Sequence, residues 1–306
     1  MVLFLKTPPH FRLATTIRSH GWYDLAPFEF DPAGPRLHTA LTDGERAIDV
    51  VIEQADEGRL AVRCRPADRA ACRLVAQAVS EMLRLSEDLS DFYTLTDGQP
   101  GLDWARRHGG GRLLRAPTAF EDTVKMLLTT NCSWALTRVM TERLVGELGP
   151  RAPSGRRAFP TPATLAARQE SWYREVVRAG YRSRYLVELA ERVASGSVDL
   201  EPPRRHLQTP AASPPHGPSG TAWREALLAL PGIGPYAADN LLRLYGVYDR
   251  LGIDSWCRAQ LRPLLPRARN LDRAAERRYA RFGRFAGLAM WVELTRRWHE
   301  PEQDPV

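Results

Sequence analysis

Two short stretches of this chain carry side chains suited to chemistry. The first is Leu230-Pro231-Gly232-Ile233-Gly234-Pro235-Tyr236-Ala237-Ala238, and the second is Leu251-Gly252-Ile253-Asp254-Ser255-Trp256. The two glycines permit a positive φ and close backbone approach. Pro235 stands where a first helical position would be. The turn therefore aims unpaired amides of Gly232, Ile233 and Gly234 outward from a helix N-terminus, an arrangement suited to a phosphate. Taken alone, the same residues also make an ordinary helix–turn–helix corner. Asp254 reads first as an N-cap, because Asp-Ser-Trp-Cys-Arg is a good helix start. A capping carboxylate at a helix entrance can equally face a cleft.

The whole string LPGIGPYAADNLL, with Asp254 at its distance downstream, resembles the hairpin of the helix-hairpin-helix DNA glycosylase superfamily. The resemblance is strong from Arg115 to Val145 and from Gly180 to Arg258 and loose before residue 100. It implies that Asp254 is the catalytic carboxylate. Breaking an N-glycosidic bond builds positive charge at C1′ of the deoxyribose, and a fixed carboxylate stabilises it and orients or deprotonates water. Bifunctional members keep a Lys where this chain has Tyr236; that amine attacks C1′ and forms a Schiff base. Lysine occurs here only at Lys6 and Lys125. A monofunctional enzyme that uses water is expected. Tyr236 either stacks on the flipped base or packs against Trp256 and the hairpin.

Thr129-Thr130-Asn131-Cys132-Ser133-Trp134 joins two helices. By resemblance Asn131 fills the gap left by the extruded nucleotide, whose flipping costs a few kcal/mol. Alternatively, Asn131 or Ser133 simply caps the next helix. Trp134 is expected in the core. Gly180-Tyr181-Arg182-Ser183-Arg184-Tyr185 resembles a motif of the 8-oxoguanine and alkylation-repair branches. Arg182, Arg184 and Arg258 are candidates to meet phosphates or, equally, solvated helix ends. Trp22, Tyr23 and Trp291 are open to two readings, the wall of a base pocket or core packing.

These residues need a scaffold, and the chain has the material for one. Apolar content of 43% supports a packed core, and a net charge of +7 with a pI near 9.5 leans toward a polyanion partner. Cys64, Cys72, Cys132 and Cys257 are scattered, which argues against a zinc site or an iron–sulfur cluster. Reduced thiols in a cytoplasmic, nucleoid-associated monomer are expected. No stretch is long and apolar enough to span a membrane, and the N-terminus has no signal-peptide pattern.

Strands are expected over 11–17, 46–52 and 60–64, followed by a helix over 67–85. Residues 89–111 connect this α+β unit to a helical region. There, Thr118-Ala119-Phe120-Glu121 is a capping box opening a helix through Leu128. Helices are also expected over 133–148, 164–177, 184–194, 223–229, from Asp254 through Leu261, and over 277–298. The reading is an α+β protein: a TBP-like antiparallel sheet domain over 1–100 and a two-subdomain helical glycosylase core over 101–306. A Pro-rich loop at about 201–220 is expected to be exposed. The resemblance implies a double-stranded DNA partner with a damaged base and no cofactor, apart from a Na⁺ or K⁺ at the Gly232–Gly234 carbonyls. An alkylated purine is the first expectation for that base and 8-oxoguanine the second. The rival of another class is a non-catalytic module that reads damaged DNA.

Overall fold

The computed structural model describes residues 1–201 and 218–300; most of the expected Pro-rich loop lies outside them. Five strands form one antiparallel sheet, β1 (Val2–Lys6), β2 (Glu29–Asp31), β3 (Arg36–Thr42), β4 (Ala47–Asp56) and β5 (Arg59–Arg65), in the order β1-β5-β4-β3-β2. Ile48, Val50 and Ile52 are buried at every second position of β4, and across the pair Val50 meets Cys64 and Ile52 meets Val62. This period of two puts one apolar face against helix α1 (Arg69–Met82). That helix answers with Cys72, Val75, Val79 and Met82 at three- and four-residue spacing. Asp68 caps it, accepting from the Ala70 and Ala71 amides.

The segment 11–17, expected as a strand, is instead a short helix at Leu13–Ile17. Its alternation was partial, and burial of Leu13, Thr16 and Ile17 follows the helical spacing.

The helical part contains α2 (Ser90–Thr96), α3 (Ala119–Thr129), α4 (Trp134–Leu148), α5 (Ser183–Ala194), α6 (Pro218–Leu228), α7 (Pro235–Leu244), α8 (Ser255–Leu264), α9 (Leu271–Tyr279) and α10 (Ala286–Thr295). Two cores divide it. One joins the sheet, α1, α3, α4, α5 and the hairpin α6–α7. The other packs Phe92, Tyr93 and Trp104 with Tyr248, Leu261, Tyr279 and Leu288. Residues 89–105 thus pack with the C-terminal helices.

Two expected helices are interrupted. The stretch 164–177 splits into a short helix, Pro162–Ala166, and a second helical piece over 170–177 whose last turns are π-helical, ending at Arg178 with φ 62°. The expected helix over 277–298 breaks at Gly283, whose φ of 52° and ψ of −123° leave helical space. Among the described residues no helix is long and apolar enough to cross a membrane.

Candidate active site at the hairpin

The hairpin is built from α6, the turn and α7. Gly232 has φ 72°, and a Cβ there would lie 2.6 Å from Tyr185 and 2.7 Å from Leu127, so no other residue fits without movement. Gly234 behaves differently. It is extended, faces open space and stands as the N-cap of α7 with no side-chain cap. The Ile233 amide reaches back to the Leu230 carbonyl at 3.3 Å; those of Gly232 and Gly234 make no backbone bond among the described residues. Arg224 on α6 braces Asp239 on α7 at 2.6 Å.

Asp254 is half-buried and caps α8, with Oδ1 accepting from the Cys257 amide at 2.6 Å. The cap reading is met: one oxygen is fixed by the helix end, and the side chain is only partly covered. Tyr236 lies close enough for Asp254 to act on its phenol. Burial pushes that phenol up, and the nearby Asp254 carboxylate pushes it further, against Arg243 and a hydrogen bond with Thr129. Tyr236 is a neutral, partly buried ring beside the carboxylate.

Three residues that sequence reasoning passed over shape this place. Tyr236, Asn240 and Arg243 fall at i, i+4 and i+7, which puts them on one face of α7. Asn240 Nδ2 donates to the Tyr236 carbonyl at 2.9 Å and to Gly252 O at 3.3 Å. Arg243 is 2% exposed; Nη1 donates to Asn240 Oδ1 at 2.9 Å, and Nη2 donates to the Leu251 carbonyl. Its guanidinium carbon also sits 5.2 Å from the Trp291 ring centre. Trp298 is the third. Trp256, Trp291 and Trp298 form an aromatic cluster beside Asp254, with ring centres 5.3–6.0 Å apart. The helical spacing of polar residues on α7 was the available signal for Asn240 and Arg243; nothing local marked Trp298.

The remaining candidates divide. Asn131 is exposed in the left-handed region, φ 48°, and donates to the Tyr181 hydroxyl at 3.1 Å. Ser133, not Asn131, caps α4, accepting from the Leu136 amide. Arg182 is 4% exposed, stacks 4.6 Å over Tyr181 and donates to the Thr130 carbonyl. Its guanidinium holds the Asn131 loop and is not turned to solvent. Arg184 is exposed and bonded to the neighbouring Tyr185 hydroxyl at 2.6 Å. Arg258 is held by both oxygens of Asp272, at 3.0 and 2.8 Å.

Trp22 is 4% exposed and its indole donates to Asp122 at 2.7 Å. Tyr23 packs edge-on against Phe30 of β2. Trp291 donates to the Ser19 carbonyl at 2.9 Å. Trp134, expected in the core, is 39% exposed. It lies on Gly21, whose absent Cβ would fall 2.3 Å from the ring, and donates to Asp24 at 2.8 Å. The ring contacts residues 21–24 and remains partly exposed.

Neither lysine stands at the hairpin. Lys6 is on β1. Lys125 is fully buried, 2.6 Å from Glu121 and 4.4 Å above the Phe28 ring. Among the described residues no group of His, Cys, Asp or Glu is arranged to hold a metal ion. A separate cavity of about 430 Å³ lies between β3, α1 and the start of α3, lined by Leu41, Leu74, Phe120 and Phe159. It shares no residue with the hairpin site.

No family model matches the chain. It is similar to a protein of Methanothermobacter thermautotrophicus named a probable N-glycosylase/DNA lyase, at 26% identity over 259 residues, 76% of this chain and 77% of that one. Among solved structures, a 3-methyladenine DNA-glycosylase from Archaeoglobus fulgidus superposes with a TM-score of 0.73 at 19% identity, covering 97% of this chain and 99% of that one. The apo form of an 8-oxoguanine glycosylase/lyase from Clostridium acetobutylicum gives 0.70 at 19% identity, covering 95% of each chain.

Proposed function

From the fold that this chain shares with the helix-hairpin-helix glycosylases, we propose that it is a monofunctional DNA glycosylase that hydrolyses the bond between a flipped, damaged base and its sugar in double-stranded DNA. The observation that carries this reading is Asp254, a half-buried cap beside Tyr236 on the hairpin. Phosphates dock on the open amides of the turn, with a Na⁺ or K⁺ on the turn carbonyls and no other cofactor. Asn131, whose loop is fixed by Arg182 and Tyr181, fills the vacated stack. As the C1′–N bond breaks, its electron pair leaves with the base, and Asp254 stabilises the positive sugar. Water adds its oxygen to C1′; its proton goes to Asp254 and then to solvent. The product is an abasic site.

The relative from Methanothermobacter carries a lyase in its name. Hydrolysis alone is supported here by Tyr236 at the hairpin position and by an ion-paired Lys125 buried under Phe28.

An alkylated purine is the favoured base. It carries positive charge, leaves readily, and suits the faces of Trp256, Trp291 and Trp298. One observation favours a neutral oxidised purine such as 8-oxoguanine instead. Arg243 already lays a positive charge against Trp291.

The test is base release from duplexes holding an alkylated purine or 8-oxoguanine, scored with and without hot alkali. Release with strand breakage only after alkali is expected, and Asp254→Asn should lower the rate by roughly 10²–10³-fold, as loss of a transition-state charge stabiliser does. Undiminished release by Asp254→Asn would refute the assignment. A covalent adduct trapped by borohydride would refute the monofunctional reading.

A further inference from the structure

Arg243 is a costly residue to bury. It is 2% exposed, and its Nε has no hydrogen-bond partner among the described residues. Burial pulls the guanidinium below the ordinary arginine value, while Cys257, Tyr236 and Asp254 act to restore it. A guanidinium stays charged in proteins. An apolar side chain of similar volume would fill this space at less expense, so packing alone does not account for it.

Its contacts point in three directions. On its own helix it holds Asn240, which in turn holds the Gly252 carbonyl. Across the site it holds the Leu251 carbonyl, three residues before Asp254. Gly252 has φ 55°, and a Cβ there would meet Arg243 Nη2 at 3.0 Å and Asn240 at 3.2 Å. The loop thus lies directly on these two side chains. From the C-terminal helix α10, Trp291 covers the guanidinium and is itself tied to Ser19.

Resting on the glycosylase reading, we infer that Arg243 is a positioning residue for base excision: it straps the loop that carries Asp254 to the hairpin helix and sets Trp291 against it. DNA held at the hairpin turn and the carboxylate that acts on it thereby share one rigid reference. Neither hydrogen-bond partner of Arg243 is an ionised group. What it supplies is a planar fork of donors.

Two measurements test this. The first is single-turnover base release with the lesion identified above. Arg243→Met should slow release by ~100-fold, the effect expected of a small displacement of a reacting group, while affinity for a duplex with an abasic-site analogue is unchanged. Arg243→Lys should restore little, because an ammonium lacks the fork. Free guanidinium should raise the rate of Arg243→Ala. In an Asp254→Asn background Arg243→Met should cost nothing further, since both changes remove the same group's contribution. Full additivity of the two changes would overturn the inference, as would release by Arg243→Met at the wild-type rate or a matching loss of DNA affinity.

The second measurement is hydrogen exchange on the free protein, which needs no substrate. Arg243→Met should speed exchange over 251–257, including the Cys257 amide, and leave the hairpin turn unchanged. Unaltered exchange over 251–257 would overturn the strap even if the wild-type protein releases base. Conversely, failure of the wild-type protein to release any base refutes the glycosylase reading alone.

Discussion

Acid should destabilise this protein through one identifiable histidine. His20 is 7% exposed, lies 4.9 Å from the Trp22 ring and donates from Nε2 to the Leu114 carbonyl. Burial lowers its pKa from 6.5 to about 4; the Leu114 bond opposes this, and the charges of Lys125 and Arg243 add to it. Above pH 6.5 the ring is neutral in both folded and unfolded chains, and its contribution to stability is complete. Between 6.5 and about 4 the unfolded chain takes up a proton that the folded chain refuses, so stability falls as pH falls; below about 4 the loss is complete. At ~1.4 kcal/mol per pH unit the full loss is about 3 kcal/mol, with about 2.5 kcal/mol gone by pH 4.5. That is a large part of the roughly 5–15 kcal/mol that holds a typical domain. Urea unfolding at pH 7 and pH 4.5 measures it. His20→Gln keeps a donor for Leu114 and cannot be protonated, so its stability should drop by about 2.5 kcal/mol less than wild type over that interval. Carboxylates, and His299, whose pKa burial also lowers to about 4, titrate in both proteins and cancel in the difference. Parallel losses in the two proteins would refute the reasoning.

Gly21→Ala should destabilise by about 1–3 kcal/mol, as overpacking does, because its Cβ would fall 2.3 Å from a Trp134 ring already held by Asp24. A Trp134→Ala background should remove most of that loss, and an unchanged midpoint for Gly21→Ala alone would count against this contact. Arg182→Met should weaken damaged-DNA binding by loosening the Asn131 loop while leaving its salt dependence intact, since its guanidinium holds Thr130. Arg184→Met, at an exposed position, should instead lower the slope of log K against log salt by about 1. A reduced slope for Arg182→Met would place that residue on phosphate after all.

What could be read in advance follows from how local each feature is. The hairpin turn, the Thr118 and Asp254 caps and the strands β4 and β5 depend on residues a few positions apart, and their types declare them. Gly232 shows the limit of such reading. Its positive φ follows from the turn, but the close approach of Tyr185 and Leu127 does not. The helix expected over 277–298 failed at Gly283, where one glycine outweighed an apolar pattern that continues on both sides. The burial of Arg182 and the exposure of Trp134 were missed for a related reason. Both lie between segments distant in sequence, so their exposure depends on how those segments pack, which no window around either residue contains. The tryptophan cluster is the extreme case. Trp256 and Trp298 are brought together by the turn from α9 into α10 and have no periodic relation in the chain.

The same distinction explains why Asp254 is both cap and candidate catalyst. A helix N-terminus places a carboxylate with little freedom: here one oxygen is fixed by the Cys257 amide. That orientation is set by local sequence, which is why the cap was legible. Where the carboxylate points relative to the hairpin turn is not local at all. It is set by Asn240 and Arg243, seated on the hairpin helix and gripping the loop carbonyls before Asp254. A carboxylate on a helix end therefore needs a second anchor to couple it to a neighbouring helix. In this fold that anchor is a buried arginine on the same helix face as Tyr236.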